Sequence, residues 1–260
     1  MNYLEEFYNA YDEEGRLLSR HGRVEYLTTM KYIEKYLKDL SDPSIIEVGA
    51  GTGRYSVTLA KRGLRVTAVE LIEHNLKILR SKLDGTESIT TMQGNALDLS
   101  HFPDDSFDLT MLLGPMYHLY TKEEKLKALS EAVRVTKSGG HILVAYCMNE
   151  PTVIQYVFWM SHLREVTELN MLTPEWHCIS EPKEVFELVR TEDIAELDEE
   201  IPVKRIKLVA TDGATNYNRE FIDTMDDETF SKWLDYHFAI CERQDLIGAS
   251  HHTLDILQKN

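Results

Sequence analysis

From residue 44 onward, short apolar runs alternate with longer stretches in which apolar positions recur at helical spacing. Ile45, Ile46 and Val48 predict a short buried strand. Three alternate glycines, Gly49, Gly51 and Gly53, follow, and residues 55–62 take up a helical pattern that Gly63 closes as a C-cap. Residues 64–71 predict a second strand, 73–83 a helix, 88–93 a third strand and 107–113 a fourth. That fourth run is continuously apolar, as befits a parallel strand covered on both faces. Thr121 and Glu124 have the spacing of a capping box for a helix reaching about residue 136, and Gly139-Gly140 turns the chain into a strand over 141–147. Strands and helices alternating at these lengths predict an α/β fold, a doubly wound sheet.

The flanks break this alternation. Residues 24–40 carry apolar side chains at helical spacing, preceded by an aromatic stripe of Tyr3, Phe7, Tyr8 and Tyr11, for which core packing is the favoured role. Residues 152–169 read as one helix rich in large apolar groups. Within 170–200 the pattern is ambiguous, with a short helix over 191–200 and a possible strand over 185–189. Residues 203–210 predict a sixth strand, 226–243 an amphipathic helix and 252–258 a final strand. No repeat, low-complexity tract or Pro/Gly/Ser linker interrupts the chain, so 1–260 is expected to be one domain.

Composition narrows the function classes. The 260 residues include 28 Lys and Arg against 44 Asp and Glu, a formal charge of −16, which opposes nucleic acid and anionic lipid. Between 181 and 228 there are 15 acids against 6 bases, read as a solvated face. Cys147, Cys178 and Cys241 are odd in number and far apart, which suits reduced thiols in a cytoplasmic protein. No apolar run approaches membrane-spanning length.

The glycine turn is the principal chemical feature. Strand, glycines and helix N-terminus form a cradle where backbone can approach a ligand and unpaired N–H groups face it. Glu70, at the tip of the second strand and 21 residues after Gly49, can accept both hydroxyls of a ribose. That pairing alone leaves NAD open, although a dinucleotide site wants G-x-G-x-x-G and this chain has E-x-G-x-G-x-G beginning at Glu47.

Five stretches in order resemble the motifs of class I S-adenosylmethionine-dependent methyltransferases: Glu47–Gly53, Val66–Glu70, Gly94–Asp98, Ser106–Asp108 with Leu112–Leu119, and Ala132–Gly140. The resemblance covers about residues 44–147. It implies a Rossmann-like, seven-stranded, mostly parallel sheet with an antiparallel last strand. It also implies S-adenosyl-L-methionine as cofactor, held by Glu47, Gly49, Ala50, Gly51, Gly53, Tyr55, Glu70, Leu71, Asn95, Ala96, Leu97, Leu113 and Gly114. Asn95 stands where the family usually has an acid; its carbonyl can accept the adenine amino group. Further likeness to bacterial members of unassigned substrate runs through residues 12–17 and 246–250. Under this resemblance 1–40 is a helical lid, 41–148 the cofactor core, 149–200 a helical insertion over the acceptor site and 201–260 the last strands and helix.

The acceptor side is expected on loops beyond the fourth and fifth strands. Gly114–Tyr120 has neither the polar first residue of amine-directed [DN]-P-P-[YF] loops nor the carboxylates of magnesium-dependent enzymes. His118 is the conventional proton acceptor there, with a backbone hydrogen bond as the equal alternative, and Tyr117 is a pocket wall or core residue. Tyr8, Tyr11, Arg16, Arg23, Tyr156 and Trp159 are expected to line a small-molecule site roofed by residues 1–25 and the 152–169 helix. His21/Arg23 and His251/His252 show no metal-ligand spacing. The expected protein is therefore a metal-independent methyltransferase acting on a small molecule, monomeric or homodimeric, without nucleic acid or membrane partners. An NAD-dependent oxidoreductase and a non-catalytic cofactor-binding module are the alternatives.

Overall fold

The computed structural model describes residues 3–260; residues 1 and 2 of the expected lid lie outside the described residues. Seven strands form one sheet: β1 (Ser44–Val48), β2 (Arg65–Glu70), β3 (Ile89–Gln93), β4 (Phe107–Leu112), β5 (Thr136–Cys147), β6 (Val203–Ala210) and β7 (His252–Lys259). Their order is β3-β2-β1-β4-β5-β7-β6. The first five are parallel, while β7 runs antiparallel between β5 and β6. The expected sheet, including its antiparallel last strand, is therefore present.

Alternation along the strands builds the two layers. Ile46, Val48, Leu112, Ile142 and Val144 face a core shared with α6 (Lys122–Val135) and α9 (Thr191–Glu199). Ile45, Leu109, Met111, Leu143, Leu254 and Ile256 face Tyr32 and Ile33 of α3 (Arg20–Leu37) and Leu59 of α4 (Arg54–Lys61). Helix α5 (Glu73–Ser81) packs Leu79 against Val57 and Ala68. The Thr121/Glu124 capping box starts α6 as expected. Gly139 and Gly140 fall inside a longer β5 rather than before it, at an irregularity in the β4–β5 register.

Two segments differ from expectation. The 152–169 stretch is not one helix. α7 (Asn149–Thr152) runs into a wide π-helical turn (Val153–Trp159), where the Met160 N–H bonds to the Gln155 carbonyl, and α8 (Leu163–Glu168) starts afresh. Ser161 at φ +63° turns the chain between them, although neither Gly nor Pro marks the break. Residues 185–189 form no strand; Val189 alone bridges Met148. The irregular chain from 170 to 190 is instead tied down by Asn149. Its Oδ1 accepts from the Cys178 N–H at 2.8 Å and its Nδ2 donates to the Trp176 carbonyl at 3.0 Å.

Ahead of the sheet, α1 (Tyr3–Ala10) and α2 (Glu13–Arg16) lie across the C-terminal ends of the parallel strands. Phe7 meets the Phe186 ring edge-on at 5.5 Å, and Lys82 Nζ ties Glu14 to the Thr52 carbonyl. Helices α10 (Arg219–Thr224) and α11 (Asp227–Ile240) close the far side against α3, through Val24, Ile222 and Phe230. No helix among the described residues is long and apolar enough to cross a membrane.

Candidate active site

Two cavities open at the strand ends. The smaller, about 290 Å³, is built on the glycine turn. Gly49 and Gly51 hold φ of +77° and +54°, which L side chains rarely adopt, and let backbone replace side chain on the cavity wall. At Gly49 the need is also steric: a Cβ there would stand 2.5 Å from Pro115 Cδ. Gly53, at φ +84°, is the N-cap of α4.

Glu70 closes the floor, its two oxygens accepting from the Gly51 and Ile72 N–H groups at 2.7 and 2.8 Å. Burial raises its carboxyl pKa above the ordinary carboxylate range, against the pull of those bonds. The Asn75 side chain also bonds the carboxylate, which keeps acceptor capacity for a diol. Glu47 is fully enclosed, accepts from the Ser56 N–H and hydroxyl, and is lifted to about 8 by burial. Half-exposed Leu71, with Asn95, Ala96, Leu97, Leu113 and Gly114, completes the wall, and Tyr55 stands behind the turn. Asn95 turns its carbonyl to the Leu97 N–H at 3.0 Å, which leaves its amide N–H₂ as the uncommitted group.

An open carboxylate at a strand tip, glycines against the ligand space and an apolar slot past β2 and β3 fit an adenosine-containing cofactor with an amino-acid tail. Fold and site together resemble those of class I S-adenosylmethionine-dependent methyltransferase domains. Residues 46–144 match the family model of the methyltransferase domain. The chain is similar to a demethylmenaquinone methyltransferase from Clavibacter sepedonicus, 30% identical over 57% of this chain and 58% of the relative. It is also similar to a glycine/sarcosine N-methyltransferase from Aphanothece halophytica, 25% identical over 62% and 59%. It thus spans little more than half the length of the curated relatives it matches. Whole-chain likeness of fold extends to a protein of Pyrococcus horikoshii OT3, at TM-score 0.60 and 15% identity over 98% of this chain and 99% of that one. A SAM-dependent methyltransferase from Methanosarcina mazei gives TM-score 0.59 and 16% identity over 88% and 96%.

The larger cavity, about 840 Å³, lies beside the first. Tyr8, Glu13, Arg16 and Tyr117 line both. Tyr11, Phe186 and, from the π-helical turn and its flanks, Gln155, Tyr156 and Met160 add to its wall. Of the six side chains expected here, Tyr8, Tyr11, Arg16 and Tyr156 line it and two do not. Arg23 is drawn off to α11, stacking over the Phe230 ring at 5.4 Å. Trp159 is 61% exposed and meets Tyr217 edge-on, because the wide π turn swings it outward.

His118 lines the smaller cavity only. Its Nδ1 donates to the Val185 carbonyl at 2.8 Å, so Nε2 is the acceptor for the Tyr8 hydroxyl at 2.9 Å. Burial pushes its pKa down to about 4, keeping it neutral. Tyr117 donates weakly to the Leu113 carbonyl at 3.3 Å.

A part-buried ionic chain, without a signature in the sequence, runs along the larger cavity. Arg16 bonds Glu13 through Nε and both Glu25 oxygens through Nη1. His252 Nδ1 lies 2.9 Å from Asp212 and 3.5 Å from Glu25. One donor atom each of Asp212, His251 and His252 lies within 4.8 Å of the others. Asp212 and His251 stand 39 residues apart in the sequence, in no ligand spacing; the β6–β7 pairing brings them together. Protein groups already engage the Asp212 oxygens: the Ser250 hydroxyl, the His251 and His252 N–H groups, and the His252 ring.

Proposed function

We propose that the chain transfers a methyl group from S-adenosylmethionine to a small, partly apolar molecule bound in the larger cavity. The observation that supports this is the junction of the two cavities at Tyr8, Glu13, Arg16 and Tyr117, which favours an acceptor space next to the sulfur end of the cofactor space. The bound cofactor supplies a methyl already activated by the sulfonium. The chain's own work is alignment and exclusion of water. The Gly49–Gly51 backbone faces the methionine part, Glu70 the ribose, and Leu71, Asn95, Ala96 and Leu97 the adenine. Leu113, Gly114 and Tyr117 border the transfer point. His118 acts through Tyr8, orienting a hydroxyl that faces both cavities. No carboxylate follows β4 between Gly114 and Tyr120, which supports transfer without a metal.

Residues 1–25 act as a lid in this reading. Because Tyr8, Glu13 and Arg16 line both cavities, removing the segment costs cofactor affinity as well as turnover. The enclosed acceptor space and the charge of −16 favour a small acceptor over nucleic acid, in a cytoplasmic protein, as monomer or homodimer. Isothermal titration with S-adenosylhomocysteine and NAD tests the assignment. Homocysteine-derivative binding is expected and NAD binding is not; tighter binding of NAD overturns it.

A further inference from the structure

Most charged groups around the larger cavity have protein partners: Asp12 accepts from the Gly15 N–H, and Glu184 accepts from the Glu181 N–H and pairs with Lys183. Glu25 is held by Arg16 on both oxygens, Glu13 by Arg16 on one, and Asp212 by backbone N–H groups, Ser250 and His252. Burial alone would lower the His252 pKa, but Glu25, the Cys147 sulfur and Asp212 outweigh it and raise it well above the ordinary imidazole range. Asp212, itself enclosed, is driven far below the usual carboxylate range chiefly by the same partner. Neighbouring His251 is pushed down to about 4 by burial and by the charge on His252, so it stays neutral. The acids nearest the cavity are therefore largely spent on protein partners.

The donors are not. With Nδ1 taken by Asp212 and Glu25, the Nε2–H of His252 is left for the cavity that the ring lines, with only the weakly bonding thiol of Cys147, its cross-strand neighbour, beside it. Arg16 uses Nε and Nη1, and among the described residues no hydrogen-bond partner takes its Nη2. Arg219, at the cavity wall, bonds only the Asn216 side chain and forms no ion pair among the described residues. The free polar capacity of an otherwise aromatic cavity is thus cationic and donating.

We infer that this cavity takes a small aromatic or apolar acid as its methyl acceptor, an anionic oxygen of which is bound by His252 and Arg16. Glu25 and Asp212 are then positioning residues that keep the two cations aimed and charged. Two part-buried cations sharing an anion give the stronger, charge-assisted class of hydrogen bond. The inference rests on the reading of the larger cavity as the acceptor site.

Three probes of one shape and different charge test it: benzoate, benzylamine and benzyl alcohol, titrated calorimetrically into the protein saturated with S-adenosylhomocysteine. Benzoate is expected to bind at least about tenfold more tightly than either of the others. His252→Leu should abolish that preference while leaving S-adenosylhomocysteine affinity unchanged, and His252→Gln, which keeps a donor without the charge, should restore part of it. Benzylamine or benzyl alcohol binding as well as benzoate, or no benzoate binding at millimolar concentration, overturns the inference. The probe comparison is made on the unaltered protein, so poor folding of a variant does not blunt it. Absence of S-adenosylhomocysteine binding would instead sink the methyltransferase reading, which keeps the two failures apart.

Discussion

Replacing Gly49 by alanine separates two costs that the glycine turn avoids. At φ +77° an L residue is strained by about 1–2 kcal/mol wherever it sits. At Gly49 the new Cβ would also stand 2.5 Å from Pro115 Cδ, 3.0 Å from Pro115 Cγ and 3.4 Å from the Gly114 Cα. Pro115 is a ring on a short 3-10 turn (Pro115–His118) and cannot swing aside as a flexible side chain would. Forcing a methyl into packed surroundings costs about 1–3 kcal/mol. The total for Gly49→Ala is therefore about 2–5 kcal/mol. Gly63 is the internal control, because its φ is +86° and nothing lies within 4 Å of its would-be Cβ. Gly63→Ala should cost the strain alone, about 1–2 kcal/mol. Urea unfolding of both variants measures the difference, and titration with S-adenosylhomocysteine should show at least about a tenfold loss for Gly49→Ala only, as the Gly114–Pro115 wall is displaced. Equal stability losses with unchanged affinity would refute the reasoning, since the contact between the turn and the loop after β4 would then carry nothing.

Glu70→Ala should weaken S-adenosylhomocysteine binding by about 1–3 kcal/mol, the worth of charge-assisted hydrogen bonds, and an unchanged titration would remove Glu70 from the ribose role. Glu47 makes stability pH-dependent. Its folded pKa of about 8 lies above its ordinary 4.5, so the contribution is full below the lower value and is lost as pH rises toward the higher one. Thermal unfolding of Glu47→Gln between pH 5 and pH 9 should show a flatter profile than the parent, and parallel profiles would count against an enclosed neutral carboxyl. Tyr8→Phe removes the hydroxyl that serves His118 Nε2, with an expected stability loss of about 1 kcal/mol. Turnover should fall by more than cofactor affinity does; turnover at the parent level would show that the Tyr8–His118 pair only braces the lid.

What the sequence determined by itself was local or periodic. The Gly49-x-Gly51-x-Gly53 spacing is a backbone requirement written in residue type, and the Thr121/Glu124 box sets the start of α6 within four residues. The alternation of apolar runs and helical spacing specified the layered sheet, because burial on both faces demands continuous apolar strands. Tertiary structure decided the larger cavity. The break at 160–162 has no Gly or Pro to announce it, and it depends on Ser161 accepting a left-handed turn while neighbouring segments are anchored by Asn149. That break sends Trp159 outward and Tyr156 to the cavity wall. Arg23 and Arg16 stand seven residues apart on one segment, yet only packing against Phe230 or against Glu13 and Glu25 tells which faces the cavity. The meeting of Glu25, Asp212 and His252 is longer in range still. It follows from β7 entering antiparallel between β5 and β6, which sets His252 across from Cys147 and beside the end of β6. Local propensity constrains which strands form; it carries no information about which loops their ends will bring into one part-buried ionic chain.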